Sequence, residues 1–190
     1  MAPRGLYSAV RIWKMPSMPP APGLTVVASS IHGYGLRADR RFAAGDQVIE
    51  GDGVFYDAAA EFDDTYALAL PAHDGHGQED HDVDPIYFDL VDQTRWINHS
   101  CEPNTAVESA WSAATNTVRA WWVALRPIDP GEEVSYDYGF LGALAEPCNC
   151  GAPTCRGLIV DSDPAELAQI PAHLQPLLRL PAAPARATGS

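Results

Sequence analysis

Apolar and polar residues alternate in short runs along most of the chain, and Gly- or Pro-containing turns separate these runs. Runs of this kind are typical of half-buried strands. The predicted strands are Leu24–Val27, Gln47–Glu50, Ile86–Leu90, Thr105–Glu108, Val118–Leu125 and, last, Glu133–Asp137. Many short strands with few helix-length periods predict a mainly β architecture. Trp121 and Trp122 are expected on a sheet face or in the core.

The stretch 56–85 has an ambiguous pattern. Phe62, Tyr66 and Leu70 are spaced for a short helix, yet the residues between the last two alternate as in a strand. The tract His73–Asp84 is rich in His and Asp, and its composition favours a solvated loop over a metal site. This stretch therefore matches no specific pattern, and its acidic part is predicted to be a solvated loop.

The two ends differ in composition from the middle. Residues 1–23 are Pro-rich and are predicted to form a flexible leader. Near the other end, Asp163, Pro164 and Glu166 predict the start of a short helix, because Asp caps and Pro suits the first turn. The Pro- and Ala-rich run Pro171–Ser190 is expected to be loose.

Length and composition suit one domain with tails. The chain has 190 residues, of which 46% are apolar, enough for a sizeable core. No apolar run reaches the roughly 18 residues that a membrane-spanning helix needs, and the start lacks a secretory signal pattern. We therefore expect no membrane partner.

The acidic balance indicates the kind of partner. The net charge is −13, and residues 42–94 contain 14 Asp or Glu and no Lys or Arg. Phosphate binding needs a basic face, so this balance argues against direct contact with nucleic acid. It favours a basic protein or peptide instead.

The chain contains four cysteines, and three of them form a C-x-C-x4-C cluster. They are Cys101, Cys148, Cys150 and Cys155. Cys148 and Cys150 are too close in sequence for a comfortable disulfide, whereas four thiolates can surround one tetrahedral zinc ion. Zinc is favoured over disulfides or free thiols, and it would tie Cys101 to the later cluster. Thiols kept for zinc also favour an intracellular compartment.

Three motifs occur in a fixed order, RWINHSCEPN at 95–104, GEEVSYDYGF at 131–140 and CNCGAPTCRG at 148–157, with a weaker G-x-G at 33–35. Together they resemble the SET-domain protein lysine methyltransferases that carry a post-SET zinc tail. The resemblance covers about residues 24–160. It implies a SET β-clip fold, in which several short sheets surround a knot-like core with little helix.

The resemblance also implies a division of the chain and an approach of two segments. The SET domain would cover 24–141 and would include a variable, acidic insert at about 56–85. A post-SET zinc segment would cover 142–160. A short helix and the loose tail would follow in 161–190. In this fold the Glu133–Tyr138 strand passes close to the Asn98–Cys101 loop.

Each site residue takes its role from the matching motif. Tyr138 would be the catalytic tyrosine, and Tyr136 would influence how many methyl groups are added. The residues expected to bind S-adenosylmethionine are Gly33, Tyr34, Gly35, Asn98, His99 and Tyr138. The expected zinc ligands are Cys101, Cys148, Cys150 and Cys155. From the residues alone, the two glycines also fit a plain tight turn, and the two tyrosines also fit a strand in the core.

One departure from the family pattern bears on function. Gly51 stands where the resembling enzymes have a tyrosine against the substrate lysine, and Phe55 or Tyr56 is expected to fill the gap. The sequence thus predicts an S-adenosylmethionine-dependent protein-lysine methyltransferase. The alternative is a catalytically inactive, zinc-stabilised interaction module with the same fold, which Gly51 favours.

Overall fold

The described part of this computed structural model comprises residues 21–56, 61–73, 79–80, 85–112 and 117–179. The expectations for the leader before residue 21, for most of His73–Asp84, for the hairpin turn at 113–116 and for the end of the tail after residue 179 lie outside the described residues. No helix in the described part is long and apolar enough to cross a membrane.

Short strands dominate the described residues, and the expectation of a mainly β architecture with little helix is confirmed. The strands are β1 (Leu24–Ala28), β2 (Tyr34–Ala38), β3 (Gln47–Glu50), β4 (Gly53–Tyr56), β5 (Ala67–Leu70), β6 (Ala72–His73), β7 (Glu79–Asp80), β8 (Ile86–Leu90), β9 (Asn98–His99), β10 (Thr105–Ser112), β11 (Thr117–Ala124), β12 (Glu133–Tyr136), β13 (Glu146–Pro147) and β14 (Leu158–Ile159). The helical elements are 3-10 helices at Gln93–Trp96, Gly142–Leu144 and Gln175–Leu177, and a short α-helix, α1 (Pro164–Leu167).

The sheet that positions the polar motifs has the strand order β1-β2-β12-β9. Strand β12 is antiparallel to β2 on one side and parallel to β9 on the other, where Ser135 pairs with Asn98 and Tyr136 with His99. The predicted approach of the Glu133–Tyr138 segment to the Asn98 loop is therefore confirmed. β12 is not the last strand, because β13 and β14 follow it as a short antiparallel pair.

The two other larger sheets support this one from the sides. β10 and β11 form the predicted hairpin, and β3 joins β11. Trp122 on β11 is fully buried in the core, as predicted. The other sheet has the order β4-β8-β5, and of its strands only β5 lies wholly within the stretch 56–85. Its Ala67–Leu70 segment is a strand with Leu68 and Leu70 buried, so the strand alternative for this stretch is confirmed.

The carboxy-terminal part packs against the cysteine segment through a second apolar cluster. The buried members are Ala145, Leu158, Val160 and Ile170, with Leu167, Leu174 and Leu178 packed against them. Helix α1 begins as predicted, because the Asp163 carboxylate accepts a hydrogen bond from the Ala165 N–H. The expectation of a loose chain from Pro171 is wrong for residues 171–179. Leu174 and Leu178 there cover apolar surface of the second cluster.

Two glycines allow the backbones of these segments to touch. A β-carbon at Gly157 would lie 2.1 Å from the carbonyl oxygen of Leu177, and one at Gly142 would lie 1.8 Å from that of Glu166. The Arg179 N–H also donates to the Arg156 carbonyl at 2.7 Å. Backbone atoms cannot yield as a flexible side chain does, so these positions require glycine.

We predict that Gly157→Ala destabilises the fold more than Gly151→Ala. Both glycines have positive φ, +78° and +72°, so alanine meets similar backbone strain of roughly 1–2 kcal/mol at each. Only at Gly157 does the new methyl group meet another segment; nothing lies within 4 Å of it at Gly151. The additional cost should be about 1–3 kcal/mol, measured by urea unfolding. Equal destabilisation by the two substitutions would contradict the packing of residues 171–179.

Candidate active site and metal centre

Buried polar side chains hold strand β12 against the loop that follows β9. The Asn104 amide donates to the Glu133 carbonyl at 2.9 Å and accepts from the Ser135 N–H at 2.9 Å. The Thr105 hydroxyl donates to the Ser135 carbonyl at 2.9 Å. Both side chains are at least 98% buried. They satisfy backbone groups that would otherwise be unpaired, which fixes the position of the strand.

A cavity of about 1570 Å³ lies beside this strand. Its walls bring together most of the residues that the sequence predicted for the site. Those that line it are Gly33, Tyr34, Asn98, His99, Tyr136 and Tyr138. Gly35 is buried and is not part of the cavity wall; its missing β-carbon leaves room for the Glu133 carboxylate.

Tyr138 is the most firmly held of the cavity tyrosines. Its hydroxyl donates to the Ile97 carbonyl at 2.9 Å, and its backbone N–H donates to His99 Nδ1 at 3.2 Å. Burial raises the pKa of Tyr138 to about 12. The phenol therefore stays protonated near neutral pH, with its hydrogen engaged by Ile97 and its oxygen lone pairs left for a ligand.

Tyr136 lies beside it, with ring centroids 4.7 Å apart. Burial raises the pKa of Tyr136 well above its ordinary value, so this tyrosine is also neutral. Its ring packs edge-on against Trp122 at 5.7 Å. Among the described residues no group hydrogen-bonds to the Tyr136 hydroxyl, which leaves it to a molecule in the cavity.

His99 connects the cavity to the cysteines. Its Nδ1 accepts from the Tyr138 N–H, so the ring proton resides on Nε2, which lies 3.3 Å from the Cys101 sulfur. Burial lowers the pKa of His99 to about 4, and Asp137 opposes that shift only in part. The imidazole is therefore neutral at pH 7 and links the two parts of the site by hydrogen bonds.

Sequence reasoning missed Arg95 and Trp96, which also line the cavity. The Arg95 guanidinium lies 4.1 Å from the ring centroid of Tyr66, and Trp96 packs edge-on against both Tyr34 and Tyr66. The buried Nε of Arg95 and Nε1 of Trp96 have no hydrogen-bond partner among the described residues. Unpaired buried donors beside a cavity fit a polar ligand. Their position directly before the Asn98-His99 pair was the available signal.

The gap expected at Gly51 is filled by other side chains than those predicted. A β-carbon there would lie 3.1 Å from the Trp122 ring, 3.3 Å from a methyl group of Leu90 and 3.3 Å from the Thr94 hydroxyl. Phe55 stacks on Phe88 instead, and Tyr56 stacks on Phe62. The expectation for Phe55 and Tyr56 is therefore wrong, because their rings pack on Phe88 and Phe62.

The four cysteines come together next to His99. Cys101 Sγ lies 3.8 Å from Cys148 Sγ; sulfurs at about 2.3 Å from one tetrahedral zinc ion would lie about 3.8 Å apart. Ligand atoms of His99, Cys101, Cys148 and Cys150 lie within 4.8 Å of one another. Cys155 is outside that group, and its sulfur accepts a hydrogen bond from the Gly157 N–H at 3.4 Å.

Backbone N–H groups surround the sulfurs in a pattern that includes all four cysteines. The pairs are Arg156 N–H to Cys101 at 3.4 Å, Cys150 N–H to Cys148 at 3.4 Å, Cys101 N–H to Cys150 at 3.5 Å and Gly157 N–H to Cys155 at 3.4 Å. Such bonds favour thiolates. They therefore support Cys155, rather than His99, as the fourth ligand.

Charge explains why a cation suits this cluster. Burial raises the pKa of Cys101 to about 11 and also raises the pKa of Cys148. Burial opposes ionisation of Cys150 too, but hydrogen bonds from the Cys101 and Ala152 N–H groups outweigh it and lower its pKa to about 7. A divalent cation among the sulfurs would stabilise all four thiolates. The donor set fits zinc in a closed, structural site.

An ion pair joins the cysteine segment to the residues that follow strand β12. Arg156 Nη2 donates to Asp137 Oδ1 at 2.7 Å, and Asp137 directly precedes Tyr138. The Arg156 side chain is 11% exposed and the Asp137 side chain 34% exposed, so the pair is only partly shielded from solvent. A displacement of the cysteine segment would therefore also move the backbone next to Tyr138.

Known proteins with related sequences are methyltransferases. Residues 33–139, more than half of the chain, match the family model described as "SET domain". The chain is 37% identical over 145 residues to "Histone-lysine N-methyltransferase 2B" of Homo sapiens, a match that covers 69% of this chain and 5% of that protein. It is 32% identical over 145 residues to "Histone-lysine N-methyltransferase ash1" of Drosophila melanogaster, covering 73% of this chain and 6% of that protein. The chain thus spans a small fraction of these curated relatives.

A solved structure shares the fold. The "crystal structure of KRYPTONITE in complex with mCHH DNA, H3(1-15) peptide and SAH" matches with a TM-score of 0.57 and 26% sequence identity. The match covers 72% of this chain and 29% of that one. The prediction of a SET fold is confirmed.

We predict one zinc ion per chain, held by the four cysteines. Cys155→Ser should lose most of the zinc, because serine is a poor zinc ligand at neutral pH. His99→Gln should retain it, because His99 is expected to donate to a cysteine sulfur and not to bind the metal. Metal analysis of freshly purified protein checks both. Zinc loss from His99→Gln with retention in Cys155→Ser would reverse the assignment of the fourth ligand, and disulfides in the fresh protein would overturn the site.

Proposed function

The chain belongs to the SET-domain family, and on that premise we propose that it is an S-adenosylmethionine-dependent protein-lysine methyltransferase. One observation carries the proposal. The Tyr138 phenol is anchored on the Ile97 carbonyl within the cavity that Asn98, His99 and Tyr136 also line. The names of the relatives and the SAH in the KRYPTONITE crystal support it.

S-adenosylmethionine supplies a methyl group that its sulfonium already activates, so the protein has to bind, align and exclude water. The cofactor would be held by residues that line this cavity, namely Asn98, His99, Gly33 and Tyr34. The unpaired donors of Arg95 and Trp96 described above offer hydrogen bonds to its acceptor atoms.

The amine must lose its proton before it can attack, since the pKa of a free lysine is about 10.4. Aromatic walls favour the neutral amine by desolvation, and a cationic sulfur nearby favours it further. Tyr136 and Tyr138 are held protonated by burial, so neither acts as a general base at neutral pH. The Tyr138 oxygen, fixed by its bond to Ile97, would orient the methyl group and the amine.

We propose a basic protein segment as the substrate. The acids of residues 42–94 support this, and Asp64 and Glu108 are among the residues that line the cavity. The KRYPTONITE crystal contains an H3(1-15) peptide, which supports a peptide substrate. It also contains DNA, so the absence of direct nucleic-acid contact in this chain stays a prediction from its charge. An intracellular location stays a proposal that the thiol chemistry supports.

We predict that the protein methylates lysine in a panel of basic proteins and that Tyr138→Phe slows turnover by at least about a hundredfold. Affinity for S-adenosylmethionine should stay within about threefold, since the hydroxyl acts mainly in the transition state. Tyr56→Phe is the matched control, because that ring packs on Phe62 away from the cavity. Transfer of labelled methyl groups and calorimetry provide the two readouts.

Two results would count against this proposal. Unchanged turnover in Tyr138→Phe would remove that residue from its role. A wild-type protein that binds S-adenosylmethionine but methylates nothing in the panel would favour the inactive interaction module.

We predict mainly monomethylated lysine from the wild-type enzyme and a higher methylation state from Tyr136→Phe. The free Tyr136 hydroxyl can hold the amine or a water molecule in the space that a further methyl group needs. Phenylalanine would vacate that space while keeping the ring contact with Trp122. Mass spectrometry of exhaustively methylated substrate measures the product. Abundant trimethyl-lysine from the wild type, or an unchanged product from the variant, would contradict this role.

A further inference from the structure

The side-chain amide of Asn98 is held in a single orientation. Its Nδ2 lies 2.8 Å from the Tyr34 carbonyl, 2.8 Å from Glu133 Oε1 and 3.2 Å from the His32 carbonyl. All three are acceptors, so the NH₂ group and not the oxygen must face them. No donor among the described residues bonds to Asn98 Oδ1. The atom that Asn98 offers to a molecule in the cavity is therefore an acceptor.

Glu133 is the only charged group among these three acceptors, and it is itself closely held. Ser29 Oγ lies 2.8 and 2.9 Å from its two carboxylate oxygens. No Arg or His within the described ranges forms a salt bridge with it. Arg37, which lies opposite Glu133 in the sheet, is 3.7 Å from Asp39 instead. The carboxylate thus keeps an unpaired negative charge.

Gly35 makes room for this carboxylate. A β-carbon at position 35 would lie 2.3 Å from Glu133 Oε1 and 2.5 Å from its Cδ. Any larger residue would push the carboxylate away from Asn98. The second glycine of the G-x-G motif is therefore explained by Glu133 and not by the cavity, and Ser29, Gly35 and Asn98 all depend on the same side chain.

We propose that Glu133 is a positioning residue of the cofactor site. It orients the Asn98 amide so that Oδ1 is presented to the cavity, and it places a negative charge one hydrogen bond behind that oxygen. An acceptor supported in this way suits an ammonium group, because the carboxylate polarises the amide and attracts a cation. In S-adenosylmethionine the matching group is the α-ammonium of the amino-acid part, so this inference rests on the proposed function.

The test compares Glu133→Gln with Glu132→Gln on the adjacent residue. Glutamine keeps the shape and one acceptor of Glu133 but removes the charge. The Glu132 carboxylate pairs with Arg126 at 2.8 Å and accepts from the Asp129 N–H, so its substitution controls for the loss of an acid from the neighbouring position. Thermal unfolding establishes that both variants are folded. Should Glu133→Gln fail to fold, Ser29→Ala, which releases the carboxylate from its second partner, takes its place.

Calorimetry with two probes separates positioning from a general structural role. S-adenosylhomocysteine carries the ammonium group, whereas 5′-methylthioadenosine has the same nucleoside and thioether without the amino acid. Glu133→Gln should weaken S-adenosylhomocysteine about tenfold, the effect of one charge-assisted hydrogen bond, and leave 5′-methylthioadenosine unchanged. Glu132→Gln should change neither, and Ser29→Ala should show the selective loss of Glu133→Gln to a smaller extent.

Each other outcome has a definite meaning. Equal weakening of both probes, or no weakening of either, would overturn the role of Glu133 while leaving the proposed function intact. A wild-type protein that binds neither probe would overturn the proposed function together with this inference.

Discussion

Strand β12 lies between β2 and β9, antiparallel to the first and parallel to the second. The polar residues of the cavity lie on these three strands or next to their ends. Buried Asn104 and Thr105 pair the remaining backbone groups of β12. Because buried N–H and carbonyl groups must be paired, only one register is acceptable. A slip by one residue would turn Tyr136 out of the cavity and remove Glu133 from Asn98.

The cysteine segment is attached to this arrangement in three physically different ways. The thiol cluster links it to the loop after β9 through Cys101. The partly buried Arg156–Asp137 pair links it to the residue before Tyr138. The second apolar cluster then holds its outer side against residues 161–179. An apolar cover does not depend on metal or on ionisation, so it can keep the segment ordered while the thiols are being ligated.

Burial keeps three of the titratable side chains that line the cavity neutral. His99, Tyr136 and Tyr138 all have pKa values shifted so that the uncharged form prevails near pH 7. Such a site has little to offer a reaction that needs a strong base. It suits a reaction whose nucleophile has already lost its proton and whose leaving group is already activated, which is the chemistry of methyl transfer from a sulfonium.

Features that are local or carried by spacing could be predicted from the amino-acid sequence. Short apolar runs between turn residues were enough for the strands at Gln47–Glu50, Ile86–Leu90 and Glu133–Tyr136, and the three ordered motifs were enough for the family. Features that depend on contacts between distant segments became visible only in the folded structure. Gly35 is needed for a carboxylate 98 positions later, the space at Gly51 is filled by Trp122, and residues 171–179 pack on the cysteine segment. Local sequence patterns do not show which surfaces pack together, because burial and close packing arise only when the chain has folded.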